Sequence, residues 1–180
     1  AGWIAQQLQS CRGKATEDID RCIISLYTRE SFLYRLVNTT LRDNDQSKLE
    51  TLGPFCSLLY RCDCSPTMGQ YGYQGELYRG AQLDETTIQS YEQAVGMVKT
   101  WDAFSSTSKV RAKGESFGNV LFIINRLPTA KFRFSGMDVS SLSAYPEEDE
   151  VLIRASRNFV VEKVENDEKK GKYRIYLSLC

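Results

Sequence analysis

The sequence predicts an α+β fold. Apolar residues keep a helical spacing through the first third of the chain, and short apolar runs bounded by turn formers fill the remainder. At 180 residues, 42% hydrophobic and 26% charged, the chain is long enough for one domain with a real core.

The helical part is expected over 1–65 and the strand part over 70–180, as one domain. Thr16, followed by Glu17 and Asp18, reads as a helix cap with an acidic first turn. Ile19, Ile23, Leu26, Leu33, Val37 and Leu41 then continue at helical spacing. Ser47-Lys48-Leu49-Glu50 fits a capping box for a second helix, which Pro54 should break or restart. The turn-rich SPTMGQYGYQG, 65–75, connects the two parts. A short aromatic strand follows at 75–80. A helix is expected over 85–99, with Ile88, Tyr91, Val95 and Val98 on one face. Strands are expected at 102–108, 119–125, 131–134, 148–155, 159–163 and 172–179, the last two flanking the charged hairpin loop VENDEKKGK.

Composition removes several functions. Lys+Arg and Asp+Glu both number 23, so no global field recruits nucleic acid or a membrane. No apolar run approaches the roughly 20 residues of a membrane span. Histidine is absent, which excludes a Ser-His-Asp triad, a Cys-His pair and His-ligated zinc. Proton transfer near neutrality then falls to carboxylates, Lys, Tyr or Cys. Cys11, Cys22, Cys56, Cys62, Cys64 and Cys180 read as buried thiols. The alternatives are disulfides, which an even count permits in a secreted domain, and a zinc module on Cys56, Cys62 and Cys64, for which the usual pair spacing and a fourth ligand are missing. The chain begins AGW, without Met or a leader, and reads as an excised or processed piece. The expected compartment is cytoplasmic, with secreted or extracellular as the alternative.

Three short stretches carry the chemistry. In YPEEDEVLI, 145–153, four acids run into three aliphatic residues. On a strand, Glu148 and Glu150 would share a face roughly 6–7 Å apart, with Asp149 on the other. Paired carboxylates suit a site that stabilises positive charge or takes a proton. The plainer alternative is a solvated loop guarding an aggregation-prone strand. In GELYRG, 75–80, Arg79 can hold a phosphate in its planar fork, and Gly80 lets a ligand approach the backbone. In WDAFSSTS, 101–108, hydroxyls can orient a carboxylate or simply face solvent on an edge strand.

Together and in this order, LYRG, FSSTS and EEDEVLI resemble the arginine–serine–glutamate branch of the ADP-ribosyltransferase superfamily. The connecting segments YEQAVGMVKTWDAFSSTS and ESFGNVLFII are similar too, and YTRESFLYRLVNTTLR resembles the helical region of eukaryotic, vertebrate-type arginine-specific mono-ADP-ribosyltransferases. The likeness covers roughly residues 20 to 165. The superfamily's His-Tyr-Glu branch is excluded by the missing histidine.

The resemblance implies a mainly antiparallel two-sheet core around an NAD cleft, with NAD consumed as a substrate and no metal required. It implies that ADP-ribose passes from NAD to an arginine of an acceptor protein. Glu150 would face the oxocarbenium-like ribose, Ser106 would orient Glu150, and Arg79 would hold the diphosphate or adjacent ribose. Gly80, Thr107 and Phe117 would contact NAD, with Phe117 packing on the nicotinamide. Glu148, where members that modify arginine generally carry Glu, would align the guanidinium. The preceding segment SGMDVSSLSAYPE would meet the acceptor, with Tyr145 a recognition aromatic or simply packed beside Pro146. Glu147 and Asp149 are expected only to solvate the loop. The competing expectations are an NAD glycohydrolase with water as acceptor and a non-catalytic NAD-binding module.

Overall fold

The structure, a computed structural model, describes residues 2–29, 31–64, 66–131, 133–167 and 171–180, with the backbone alone at 64, 66 and 67. Helices α1 (Gly2–Ser10), α2 (Thr16–Thr28), α3 (Phe32–Arg42) and α4 (Leu49–Cys64) come first. Strands β1 (Gly72–Tyr73) and β2 (Leu77–Ala81) follow, then helix α5 (Glu85–Gln93), strands β3 (Val98–Trp101) and β4 (Ser105–Ser108), and helix α6 (Arg111–Glu115). The chain closes with β5 (Val120–Arg126), β6 (Gly136–Asp138), β7 (Glu150–Ile153), β8 (Arg157–Asp167) and β9 (Lys172–Leu179). The α+β class is as the sequence predicts.

Among the described residues the strands form one sheet in the order β1-β6-β7-β4-β2-β5-β9-β8-β3. Every pairing is antiparallel except β5 with β9. The joint between β4 and β2 is a single residue pair, Tyr78 with Ser108. The sheet is thus nearly divided into a four-stranded and a five-stranded half, which is how a two-sheet core arises within one hydrogen-bonded sheet. Two apolar cores follow from the alternation of β7. Leu152 joins Phe104 and Met137 against Ile23, Tyr27 and Val37 of the helices. Val151 and Ile153 point the other way, joining Leu77, Phe122, Phe159 and Ile175 of the five-stranded half.

Several expected elements are redrawn. The apolar pattern from Ile19 to Leu41 belongs to two helices, because Arg29 and Ser31 are extended. Thr16 begins α2 and does not cap it; Ala15 precedes it without a side-chain bond. The Ser47 box is replaced by Asp45, whose carboxylate accepts from the Ser47 amide. Pro54 neither breaks nor restarts its helix and lies inside α4. The preceding residue is Gly53, which has no Cβ to clash with the proline ring, so that part of the usual cost is absent. The helix over 85–99 stops at Gln93, since Gly96 takes the left-handed conformation (φ +80°). Ile88 is buried and Tyr91 packs against the core, but Val95 and Val98 are exposed, so the expected apolar face ends with the helix. The 102–108 strand shortens to β4, Ser105–Ser108, with 102–104 linking it to β3. Strand 131–134 is absent among the described residues, Phe132 lying outside them; pairing begins at Gly136 instead. The hairpin tip 168–170 also lies outside the described residues.

Cys11 and Cys62 are buried, and Cys22, Cys56 and Cys180 are half-buried thiols. Burial pushes the Cys62 thiol up to about 12, and it donates to the Leu58 carbonyl at 3.2 Å. The Cys64 side chain of the zinc alternative lies outside the described residues.

Candidate active site

Where β4 and β2 separate, a cleft of about 510 Å³ opens, a volume ordinary for small-molecule sites. It is lined by all eight residues singled out from the sequence: Arg79, Gly80, Ser106, Thr107, Phe117, Tyr145, Glu148 and Glu150. A second depression of about 480 Å³, beside Leu127, Arg154 and Cys180, contains none of them.

Glu150 is the first residue of β7 and is 5% exposed. Pairing of β7 with β4 sets Ser108 opposite Glu150 and Ser106 opposite Leu152, all on one face. Ser106 is therefore a diagonal neighbour of Glu150, and its hydroxyl hydrogen-bonds the Glu150 carboxylate. Ser143 Oγ donates to Glu150 Oε2 at 3.4 Å. Burial pushes the Glu150 carboxyl above its ordinary value of 4.5, and the nearby Glu148 charge adds to this; the two serines and Arg79 pull it back. Arg79 stands on β2 across the gap, its Nη1 donating to the Ser106 carbonyl at 2.7 Å. The guanidinium is thereby tied across the gap between the two halves of the sheet.

Glu148 does not share a strand with Glu150, contrary to the expected 148–155 strand. Pro146–Glu148 is a single 3-10 turn, and Asp149 follows in the left-handed conformation (φ 49°, ψ 45°). Asp tolerates that region better than most residues. The turn leaves Glu148 exposed at the rim while Glu150 enters the buried strand. The same turn corrects the role of Asp149, which does more than solvate. Its carboxylate accepts from Lys113 Nζ at 2.6 Å and stands 3.8 Å from Lys109 Nζ. The Lys113 contact holds the Asp149 carboxyl below its ordinary range.

Gly80 is required by the chain itself. A Cβ there would lie 2.2 Å from the Gly114 carbonyl and 2.6 Å from Phe117 Cβ. The absent side chain admits α6 and the loop that carries Phe117 to the cleft mouth, where Phe117 is 61% exposed. Thr107 uses its hydroxyl on the Val151 carbonyl at 2.6 Å, within the sheet. Tyr145 sits at the head of the acidic turn, half-buried, its amide donating to Ser143 Oγ at 3.1 Å.

The helical wall was not foreseen. Thr28, Arg29 and Tyr34 line the cleft. Tyr27 is fully buried behind them, 5.2 Å from Tyr34 and 5.6 Å from Phe104 between ring centres. Its hydroxyl accepts from Asn38 Nδ2 at 2.8 Å, and burial holds it protonated well above the usual tyrosine range. Thr28 Oγ1 accepts from the Ala144 amide at 3.3 Å, fastening α2 to the segment before Tyr145. Helical spacing marks Tyr27 only as a core position; nothing local says which cavity that core supports.

With this geometry in view, comparison with known proteins is informative. A family model described as ADP-ribosyltransferase exoenzyme matches residues 1–179. A Mycobacterium avium (strain 104) protein, Mav, designated a candidate NAD(+)–arginine ADP-ribosyltransferase, is 34% identical over 103 residues. That match covers 56% of this chain and 11% of the relative, so the chain spans about a tenth of that relative's length. The ADP-ribosyltransferase HopU1 of Pseudomonas syringae pv. Tomato DC3000 superposes with a TM-score of 0.77 at 22% identity, covering 100% of this chain and 83% of that one. Exoenzyme S of Pseudomonas aeruginosa, solved with human 14-3-3 protein beta and Carba-NAD, gives a TM-score of 0.67 at 21% identity, covering 98% and 87%. These relatives are bacterial, whereas the helical segment suggested the vertebrate-type branch.

Proposed function

This chain belongs to the ADP-ribosyltransferase exoenzyme family, and we propose that it moves ADP-ribose from NAD to arginine side chains of an acceptor protein. The observation that carries this reading is the contrast between a buried Glu150 held by two serines and an exposed Glu148 at the rim of the same cleft. The Mav designation supports arginine as the acceptor, and the Carba-NAD complex of exoenzyme S supports NAD as the ligand.

In this reading the bond between nicotinamide and ribose C1′ breaks heterolytically. Its electron pair leaves with nicotinamide, which becomes neutral. The positive charge developing on the ribose is met by the Glu150 carboxylate, fixed in advance by Ser106 and Ser143, so no reorganisation is needed as the charge appears. Arg79 clamps the diphosphate or adjacent ribose by its fork. The Gly80 backbone meets the nicotinamide amide, Thr107 lines the β4 wall across from it, and Phe117 covers the ring at the mouth. An arginine nitrogen then attacks C1′ and releases one proton. Glu148 pairs with the guanidinium and receives that proton, and Tyr145 contacts the acceptor surface.

The test is incubation with labelled NAD and agmatine, followed by mass analysis. ADP-ribosyl-agmatine and nicotinamide in comparable amounts are expected. Free ADP-ribose with no agmatine adduct would make the protein a glycohydrolase, and no nicotinamide at all would make it a binding module.

A further inference from the structure

We infer that Asp149, gripped by Lys113 and Lys109, is a positioning residue that sets Glu148 for the acceptor step; this rests on the arginine-transfer reading above. The acidic turn is fastened residue by residue to the segment that runs from the end of β4 into α6. Ser108 Oγ donates to the Glu148 carbonyl at 2.8 Å, and the Lys109 amide to the Asp149 carbonyl at 3.1 Å. Lys113 Nζ reaches both the Glu147 carbonyl and the Asp149 carboxylate, the latter at 2.6 Å. Lys109 is itself anchored, its Nζ donating to Asp138 Oδ2 at 2.8 Å and Ser140 Oγ at 3.0 Å.

A turn residue with positive φ needs no charge. Glycine or Asn would meet the backbone requirement as well or better. The carboxylate at 149 is therefore explained by its two lysines and not by the turn. Nor does the clamp serve stability, because ion pairs with about this degree of exposure contribute little. What it does is join the two walls of the cleft. Lys113 belongs to α6, which leads to Phe117 and packs on Gly80; Asp149 lies between Glu148 and Glu150. The clamp thus fixes where the exposed Glu148 stands relative to the ribose that an arginine must attack. Displacement of a reacting group by about 1 Å can cost a hundredfold in rate.

The experiment compares the wild-type chain with Asp149→Asn, Lys113→Met and the double variant. Asn keeps the left-handed conformation and nearly the same size, and Met keeps the apolar stem of Lys. The quantity read is ADP-ribosyl-agmatine formed per nicotinamide released, at agmatine below saturation. Being a ratio within one reaction, it is insensitive to how much protein is folded. Each single variant is expected to lower it by about fivefold to tenfold, through a higher KM for agmatine. The double variant should fall no further than the worse single, since both break the shared Lys113–Asp149 pair. Ratios equal to wild type, or losses that multiply in the double variant, overturn the inference while leaving arginine transfer intact. A wild-type chain that forms no ADP-ribosyl-agmatine sinks the arginine reading and this inference with it.

Discussion

Glu148 and Glu150 are the same residue type two positions apart, in regions that differ in almost every physical respect. The region of Glu150 is a strand buried at all four positions, with its partner register fixed by β4. The region of Glu148 is one exposed 3-10 turn, held by side chains and backbone from a neighbouring segment. One carboxylate pays for its burial with a raised proton affinity and is compensated by serines; the other stays in water. The comparison shows that position relative to the end of a strand can place two identical groups in opposite environments, one buried and one exposed. Each prediction below changes one side of that contrast.

The largest effect is expected from Glu150→Gln. The amide keeps the shape and loses the charge that, in the proposed reaction, faces the ribose. Loss of a preorganised electrostatic group of this kind costs about 2.7–4 kcal/mol, or 10²–10³ in rate. Nicotinamide release and transfer should fall together. The amide also removes a buried charge, so the melting temperature should not drop. A folded variant that still consumes NAD near the wild-type rate would falsify the assignment of Glu150.

Glu148→Gln should break the symmetry between the two activities. Departure of nicotinamide depends on charge beside the ribose, which Glu150 still supplies. Attack by arginine needs an aligned guanidinium and a proton acceptor, and loss of such a group costs about 10²-fold. ADP-ribosyl-agmatine formation should fall by that factor, while NAD hydrolysis changes by less than about threefold. Nicotinamide and adduct are measured in one reaction. A parallel fall in both would place Glu148 on NAD itself; no change in either would return it to a solvated loop residue.

Arg79→Lys probes the opposite wall. Lys preserves the charge but not the fork that reaches the Ser106 carbonyl and has nitrogens left for oxygen atoms of a ligand. A loss of about tenfold in kcat/KM for NAD is expected, equivalent to about 1.4 kcal/mol. Steady-state kinetics on NAD decide it, and unchanged constants would remove Arg79 from the site.

Legibility of this site in the sequence follows the same division between strand and turn. Arg79, Ser106 and Glu150 do sit on strands, as expected, and the short motifs around them that carried the resemblance are local stretches of sequence. Glu148 was misplaced onto a strand because the turn depends on a positive φ at Asp149, a non-glycine residue that carries no local signal. Gly96 did carry one, yet the apolar spacing of Val95 and Val98 outweighed it, and those residues proved exposed. Gly80 was flagged for a ligand although its nearest neighbour is a backbone carbonyl of α6. The cleft itself arises from strands parting after one residue pair, and its helical wall from Tyr27, Thr28 and Tyr34 packed across the chain. Those are tertiary facts, and neither periodicity nor propensity encodes them.

The smallest effect, and the one that tests the electrostatic account most directly, is expected from Ser106→Ala. The reactive form of Glu150 is the carboxylate, so nicotinamide release should decline as pH falls through the Glu150 pKa. Burial raises that pKa, so the acid limb of kcat should lie above 4.5, the ordinary glutamate value. The Ser106 hydroxyl stabilises the charged form and lowers the pKa from where burial alone would put it. Removing it should move the limb further toward neutral pH and cut the rate at pH 7 by about threefold, the scale of one hydrogen bond. Stability follows the same titration with the opposite sign. A folded-state pKa above the unfolded one means that the fold holds this proton more tightly, so its contribution is complete below the unfolded value and is lost as pH rises through the folded value. Ser106→Ala should widen that window, and thermal melts across pH will show it. A rate loss with an unmoved acid limb would mean that Ser106 orients Glu150 without tuning its charge. An unmoved rate and limb together would detach Ser106 from Glu150 altogether.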